Sequence, residues 1–195
     1  VDSYEKIERF YSGFAKIYDG LLKILPGLKK EIKTSLPWLK GEILEIGVGT
    51  GYLASLYSQG VGMDISKGML ERARKRLGED FSLVRANAEE LPFKDSSFDT
   101  VVSTFTLSSV KNIKKAIKEM RRVLKNRGRL VLVDVWAPEE KGFTTWFFLF
   151  MWRVLKDIIR PFSVIEKQGF KILYIKTLSK GKTVSILVGE KWKKE

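Results

Sequence analysis

From residue 45 the chain reads Glu45-Ile46-Gly47-Val48-Gly49-Thr50-Gly51, directly after the apolar pair Ile43-Leu44. Three glycines at alternate positions behind an acid let a backbone turn tightly and lie flush against a ligand. Tyr52-Leu53-Ala54-Ser55-Leu56, just beyond, can start a helix. A strand, a glycine turn and a helix N-terminus together make a site for a nucleotide-like cofactor. The spacing is G-x-G-x-G and not the dinucleotide pattern G-x-G-x-x-G, and the glycines alone also read as a plain strand-to-helix turn. Two later positions add to the signal. Asp64, within Gly62-Met63-Asp64-Ile65-Ser66, stands at the end of a second strand, where a carboxylate can accept both hydroxyls of a ribose; it reads equally as a helix-capping acid. Asn87, within Arg85-Ala86-Asn87-Ala88-Glu89-Glu90, offers a donor and acceptors to an adenine edge, or is a turn residue.

Composition limits the chemistry available. The chain has no cysteine and no histidine. Thiol nucleophiles, disulfides, the usual zinc sites and imidazole acid–base catalysis are thereby removed, so no metal site is expected. Asn and Gln are scarce while Lys and Glu abound, which points to a thermophilic source. The net charge of +13 favours an anionic partner or serves as a solubilising surface. No apolar run reaches the ~18 residues of a membrane span, and the mixed N-terminus has no secretory pattern, so a cytoplasmic protein is expected.

These residues need elements to hold them. Residues 4–24 carry apolar side chains every three or four positions, an amphipathic helix, and 28–36 make a shorter one. From residue 41 strands and helices alternate. Strands are expected at 42–46, 61–64, 81–85, 98–103 and 129–135, with a short helix after Gly51, one capped by Ser66, and a basic one over 112–124. Residues 143–159 and 161–167 read as helices, and 170–178 and 183–190 as strands joined in a hairpin. Repeated strand–helix units imply a parallel sheet with helices on both faces. One domain over 1–195 is expected: a helical cover at 1–40, a cofactor-binding core at 41–135, and a lid helix with the hairpin at 136–195.

At these motifs the sequence resembles the class I S-adenosylmethionine-dependent methyltransferases, of the small-molecule type related to quinone-biosynthesis C-methyltransferases. The resemblance runs over residues 8–135. It is carried by the glycine segment 44–51; by 62–74 with Met69-Leu70 and Ala73-Arg74; by Asn87-Ala88-Glu89-Glu90-Leu91-Pro92-Phe93 followed by Ser97-Phe98-Asp99; by Arg121-Arg122-Val123-Leu124-Lys125 with Gly128; and by Phe14-Ala15 with Tyr18-Asp19. It implies an α/β fold, a seven-stranded, Rossmann-like, mostly parallel sheet with a C-terminal antiparallel hairpin strand and an N-terminal helical cover. It implies S-adenosylmethionine as cofactor. Glu45 and the backbone of Gly47, Gly49 and Gly51 would hold its methionine end, and Asp64 the ribose. Ile65 and Met69 would line the adenine, and Asn87 and Ala88 would meet its edge. Thr104 would lie near the methionine, and Tyr11 and Tyr18 would close the site. The chain departs from the pattern in three places. Asn87 replaces a common aspartate and is expected to accept from the adenine amine. The stretch from Gly51 to Asp64 is short, so the first helix must be stunted. Asn126-Arg127-Gly128 replaces Pro-Gly-Gly.

Methyl transfer asks the protein chiefly for alignment and water exclusion, because the cofactor carries the chemistry. Candidates for a base, where one is needed, are Tyr11, Tyr18, Asp134 and Glu139. The acceptor pocket is expected from the N-terminal helices, residues 104–110 and the segment after strand five. That segment, 143–152, is densely aromatic, and Arg153, Lys156 and Arg160 follow it. It reads as a core helix, as a dimer interface, or as a lid over a hydrophobic, lipid-like acceptor with peripheral membrane contact through 143–160. The basic stretch 112–129 raises RNA or protein as competing acceptors. Nucleic acid is disfavoured because Ser103-Thr104-Phe105-Thr106 lacks the Asn/Asp-Pro-Pro-aromatic motif of base-amino methylating enzymes. A non-catalytic cofactor-binding protein is the reading from a different class.

Overall fold

The computed structural model describes residues 5–6, 8–13, 20, 26–135, 161–178 and 184–192. Seven strands form one sheet: β1 (Ile43–Ile46), β2 (Val61–Asp64), β3 (Ser82–Arg85), β4 (Phe98–Thr104), β5 (Leu124–Val135), β6 (Phe170–Thr177) and β7 (Val184–Lys191). Their order is β3-β2-β1-β4-β5-β7-β6. The first five strands are parallel to one another, while β7 runs antiparallel to both β5 and β6. The order reverses between β1 and β4, the place where an open α/β sheet leaves a crevice at its carboxyl edge.

The apolar runs of the central strands are explained by burial on two sides. In β5, Leu130 and Leu132 enter one core, while Val131 and Val133 enter the other. In β4, Val101 and Val102 divide in the same way. Four helices are described: α1 (Pro26–Lys33), α2 (Lys67–Leu77), α3 (Ile113–Val123) and α4 (Pro161–Lys167). The apolar stripe of α3, Ala116, Ile117, Met120 and Val123, is fully buried on the first core, joined by Ile165 of α4. Each large side chain so removed from water contributes roughly 1.5–3 kcal/mol. Asn112 caps α3 by accepting the Lys115 N–H, and Ser66 caps α2 by accepting that of Met69. On the opposite face Ile32 of α1 packs with Val131, Val133 and Ile186.

Several expectations shift. α1 begins at Pro26 and ends at Lys33, a little before the expected 28–36, and Pro26 suits the first turn because it has no N–H to leave unpaired there. The helix after Gly51 shrinks to a single 3₁₀ turn at Ala54–Leu56, the stunting that the short spacing requires. β5 begins at Leu124, so Asn126-Arg127-Gly128 is an irregularity inside a long strand, with Arg127 at φ +60°, and not a turn before it. β7 does not alternate: residues 184–189 are all buried, because β5 and β6 flank it and both its faces are covered. The aromatic segment 143–152, the expected helix at 143–159, and Tyr18 and Glu139 lie outside the described residues. No helix among the described residues is long and apolar enough to cross a membrane.

Candidate functional site

The glycine turn is folded against β2 by its own backbone. Gly47 and Val48 both donate to the Met63 carbonyl, at 2.8 and 2.9 Å. Gly47 has φ +72°, and a Cβ there would collide with the Thr106 side chain, so no other residue fits. Gly49 donates to Asp64 Oδ2 at 3.0 Å, and Ser66 donates to Asp64 Oδ1 at 2.9 Å. Asp64 therefore joins the glycine turn to the start of α2, and it lines the cleft. Burial pushes its carboxyl above the usual range, against the backbone N–H bonds from Ser66 and Gly49.

The loop after β3 is held from the side. Arg122 of α3 donates to the carbonyls of Leu91 and Phe93 and pairs with Glu119 and Asp95. Glu119 in turn accepts the Leu91 N–H at 2.9 Å. Lys125 is likewise engaged, at 2.8 Å from Asp99. Part of the basic stretch that suggested nucleic acid thus clamps a loop of the chain itself. Within that loop Asn87 Oδ1 accepts the Glu89 N–H at 3.0 Å, an Asx turn, and the Asn87 carbonyl accepts from Glu90. Asn87 is both a turn residue and a site residue. Its oxygen already holds that turn donor, which qualifies the expectation that it accepts from an adenine amine.

Residues 8–13 are helical and bridge the crevice. The Tyr11 hydroxyl hydrogen-bonds Ser109, past the end of β4. Ser12 Oγ lies 2.9 Å from Ser66 Oγ and accepts the Gly68 N–H at 3.2 Å. Glu8 lies 3.8 Å from Arg85. Burial pushes the Tyr11 hydroxyl upward, which keeps it protonated and suits a hydrogen-bonding role more than that of a base.

Between these elements lies a cleft of about 740 Å³, including its open mouth. That is the size of a small-molecule site. Of the expected residues, Tyr11, Gly47, Gly49, Asp64, Ile65, Met69, Asn87, Ala88 and Thr104 line it. Gly51 and Glu45 are not among the lining residues. Gly51 packs on Ala73 and Leu77 of α2. Glu45 is 1% exposed and accepts from the Tyr57 hydroxyl at 2.9 Å; burial pushes its carboxyl up to about 8. Asp134 is buried in β5, faces the Ser108 N–H at 3.4 Å, and is also outside the lining. The lining further includes Glu89, Thr106 and Ser109, to none of which sequence reasoning assigned an individual role. Residues 104–110 were legible as pocket wall, but Glu89 carried no signal beyond its place in the 87–93 block. The donor and acceptor set fits an adenosyl group: a carboxylate for a ribose diol, glycine backbone beside it, Ile65 and Met69 as apolar walls, and polar side chains on the loop after β3.

Comparison with known proteins agrees with this geometry. Residues 44–132 match the family described as Methyltransferase domain. A demethylmenaquinone methyltransferase of Thermotoga maritima is 37% identical over 109 residues, covering 53% of this chain and 47% of that protein. A phosphatidylethanolamine N-methyltransferase of Cereibacter sphaeroides is 40% identical over 108 residues, covering 51% and 53%. The chain thus spans about half the length of these curated relatives. Among solved structures, a Haloferax volcanii methyltransferase in complex with the Trm112 activator shares the fold at TM-score 0.77 and 17% identity, over 94% of this chain and 98% of that one. The fold is thus a Rossmann-like, mostly parallel seven-stranded sheet shared with that structure. Residues 44–132 are similar to methyltransferase domains of the S-adenosylmethionine-dependent class, which implies S-adenosylmethionine as cofactor.

Proposed function

We propose that the chain transfers a methyl group from S-adenosylmethionine to a small, hydrophobic, lipid-like acceptor by in-line displacement. The observation that carries this is the Asp64–Gly49 junction: a buried carboxylate lining the cleft beside a glycine backbone at the mouth of the β1–β4 crevice. The cofactor supplies the activated methyl on its sulfonium. Asp64 binds the ribose hydroxyls, and Gly47 and Gly49 let the methionine end lie against the backbone. Ile65 and Met69 sandwich the base. Thr104, Phe105 and Thr106 form the wall nearest the reacting methyl. The helical residues 8–13 cover the cleft and exclude water, with Tyr11 anchored on Ser109. The side chains required for this are alignment groups, and no protein base is assigned.

The acceptor class is supported by the apolar wall of Ile46, Met63, Phe105 and Val110 and by the names of the relatives, which act on demethylmenaquinone and on phosphatidylethanolamine. The test is calorimetry with S-adenosylmethionine, followed by a transfer screen using radiolabelled methyl donor against quinols, phospholipids, RNA and protein. Label entering a quinol or phospholipid supports the reading. Label entering only RNA or protein overturns the acceptor. Cofactor affinity without transfer to any class makes the chain a cofactor-binding protein.

A further inference from the structure

We propose that the outward face of α3 seats the protein on an anionic lipid bilayer, with Phe10 entering the headgroup layer beside the cleft mouth. The proposal rests on the lipid-like acceptor inferred above and names the surface from which that acceptor is drawn. Its first support is a face of one sign. Ala116, Ile117, Met120 and Val123 turn α3 toward the core, which leaves Lys114, Lys115 and Lys118 exposed on the other side, just past the exposed Lys111. Glu119 is the one acid in the helix, and it is engaged by Arg122 and the Leu91 N–H. Neither Lys114 nor Lys118 has an ion-pair partner among the described residues. Helix α2 is also basic but differently arranged. There Lys67 pairs with Glu71, Arg74 with Glu79 and three carbonyls, and Arg76 with Thr50. Like charges four apart on a helix repel, so the α3 pair suits a surface that brings the counter-charge.

The second support is position. The lysine stripe begins at the cleft: Ser109 and Val110 line it, and the Asn112 N–H is held by Glu89, another lining residue. From residue 111 to 118 the backbone advances only about 10 Å, so the stripe stays near the mouth. Phe10 stands on the cover beside it. It is 63% exposed and edge-on to Tyr11, whose hydroxyl reaches Ser109. An exposed ring beside lysines matches a bilayer interface: the ring sits at headgroup level, the ammonium groups meet lipid phosphates, and the lysine stems lie along the surface. A nucleic acid would match the charges too. The wall behind the mouth, Ile46, Met63, Phe105 and Val110, is apolar and favours the lipid.

The experiment is co-sedimentation of the full chain with vesicles of phosphatidylcholine alone and of phosphatidylcholine and phosphatidylglycerol in equal parts. Binding to the anionic vesicles should exceed binding to the neutral ones by about tenfold or more and fall away in high salt. Lys114→Glu with Lys118→Glu should lower it by about tenfold or more, with melting temperature and S-adenosylhomocysteine affinity retained. Lys33→Glu with Lys75→Glu makes the same change of charge at exposed positions on α1 and α2 and should lower it far less. Equal losses in the two pairs overturn the proposal, as does a wild type that binds single-stranded RNA but neither vesicle. Should the reversed pair not fold, Lys114→Gln with Lys118→Gln decides by the same comparison. Docking without methylation of any lipid leaves the proposal standing and removes the acceptor reading. Methylation of a lipid in detergent micelles by a chain that ignores both vesicles does the reverse.

Discussion

Asp64 carries two duties on one carboxylate, and the same atoms serve both. Its backbone acceptor contacts to Gly49 and Ser66 shape the site before any ligand arrives. Asp64→Ala should weaken S-adenosylhomocysteine binding by about 1.5–3 kcal/mol, the scale of hydrogen bonds to a charged group. Calorimetry reads this directly, and an unchanged dissociation constant sinks the ribose assignment. Glu45 accepts from the Tyr57 hydroxyl and is not among the residues lining the cleft. Its carboxyl titrates near 8 in the folded chain, chiefly through burial, and from the ordinary 4.5 when unfolded. The folded state therefore holds the proton more tightly. Its stabilising contribution is full below about pH 4.5 and is lost as pH rises toward 8. Asp64, also raised, acts in the same direction. Thermal midpoints should accordingly fall between pH 5 and about 8, and Glu45→Gln, which still accepts from Tyr57, should flatten that slope. A midpoint that rises over this range contradicts the assignment.

At the level of elements, the contact between residues 8–13 and the start of α2 is the one that a single atom can break. A Cβ at Gly68 would lie 2.9 Å from Ser12 Cα and 3.0 Å from its carbonyl oxygen, both backbone. Gly68→Ala should lift the N-terminal segment, speed its cleavage in limited proteolysis severalfold and weaken cofactor binding, while the sheet melts within a few degrees of the wild type. Equal cleavage rates in both proteins count against the cover. The strands were readable from sequence because each buried element repeats its own signal: an apolar run in β5, a period near four in α3, Ser66 and Asn112 at helix starts. Gly47, Gly49, Asp64 and Asn87, which line the cleft, were legible from short-range pattern for the same reason. The Glu45–Tyr57 contact was not legible, because an acid before a glycine turn looks the same in sequence whether its side chain faces a ligand or a tyrosine. The position of β7 was not legible either, since spacing along the chain says that two strands form a hairpin but not which of them meets β5. Glu89 escaped because its depth depends on Asn112, far along the chain.

Across the molecule, the composition expected of a thermophilic source predicts a melting temperature above about 60 °C, and a calorimetric transition below it removes that expectation. The net charge of +13 is spread over a surface on which Arg122 and Lys125 are already committed to internal partners. The placement of β7 has a further consequence. Val135 pairs with Val184 and Arg129 with Glu190, so the last of the described strands closes the flank of β5. While the chain is being synthesised, the ribosome must deliver residue 190 before that flank is covered. Until then a row of apolar, hydrogen-bond-ready backbone stays open, and a neighbouring nascent copy offers the same row. Refolding yield should therefore fall with protein concentration, and the long separation between these partners sets the slow step.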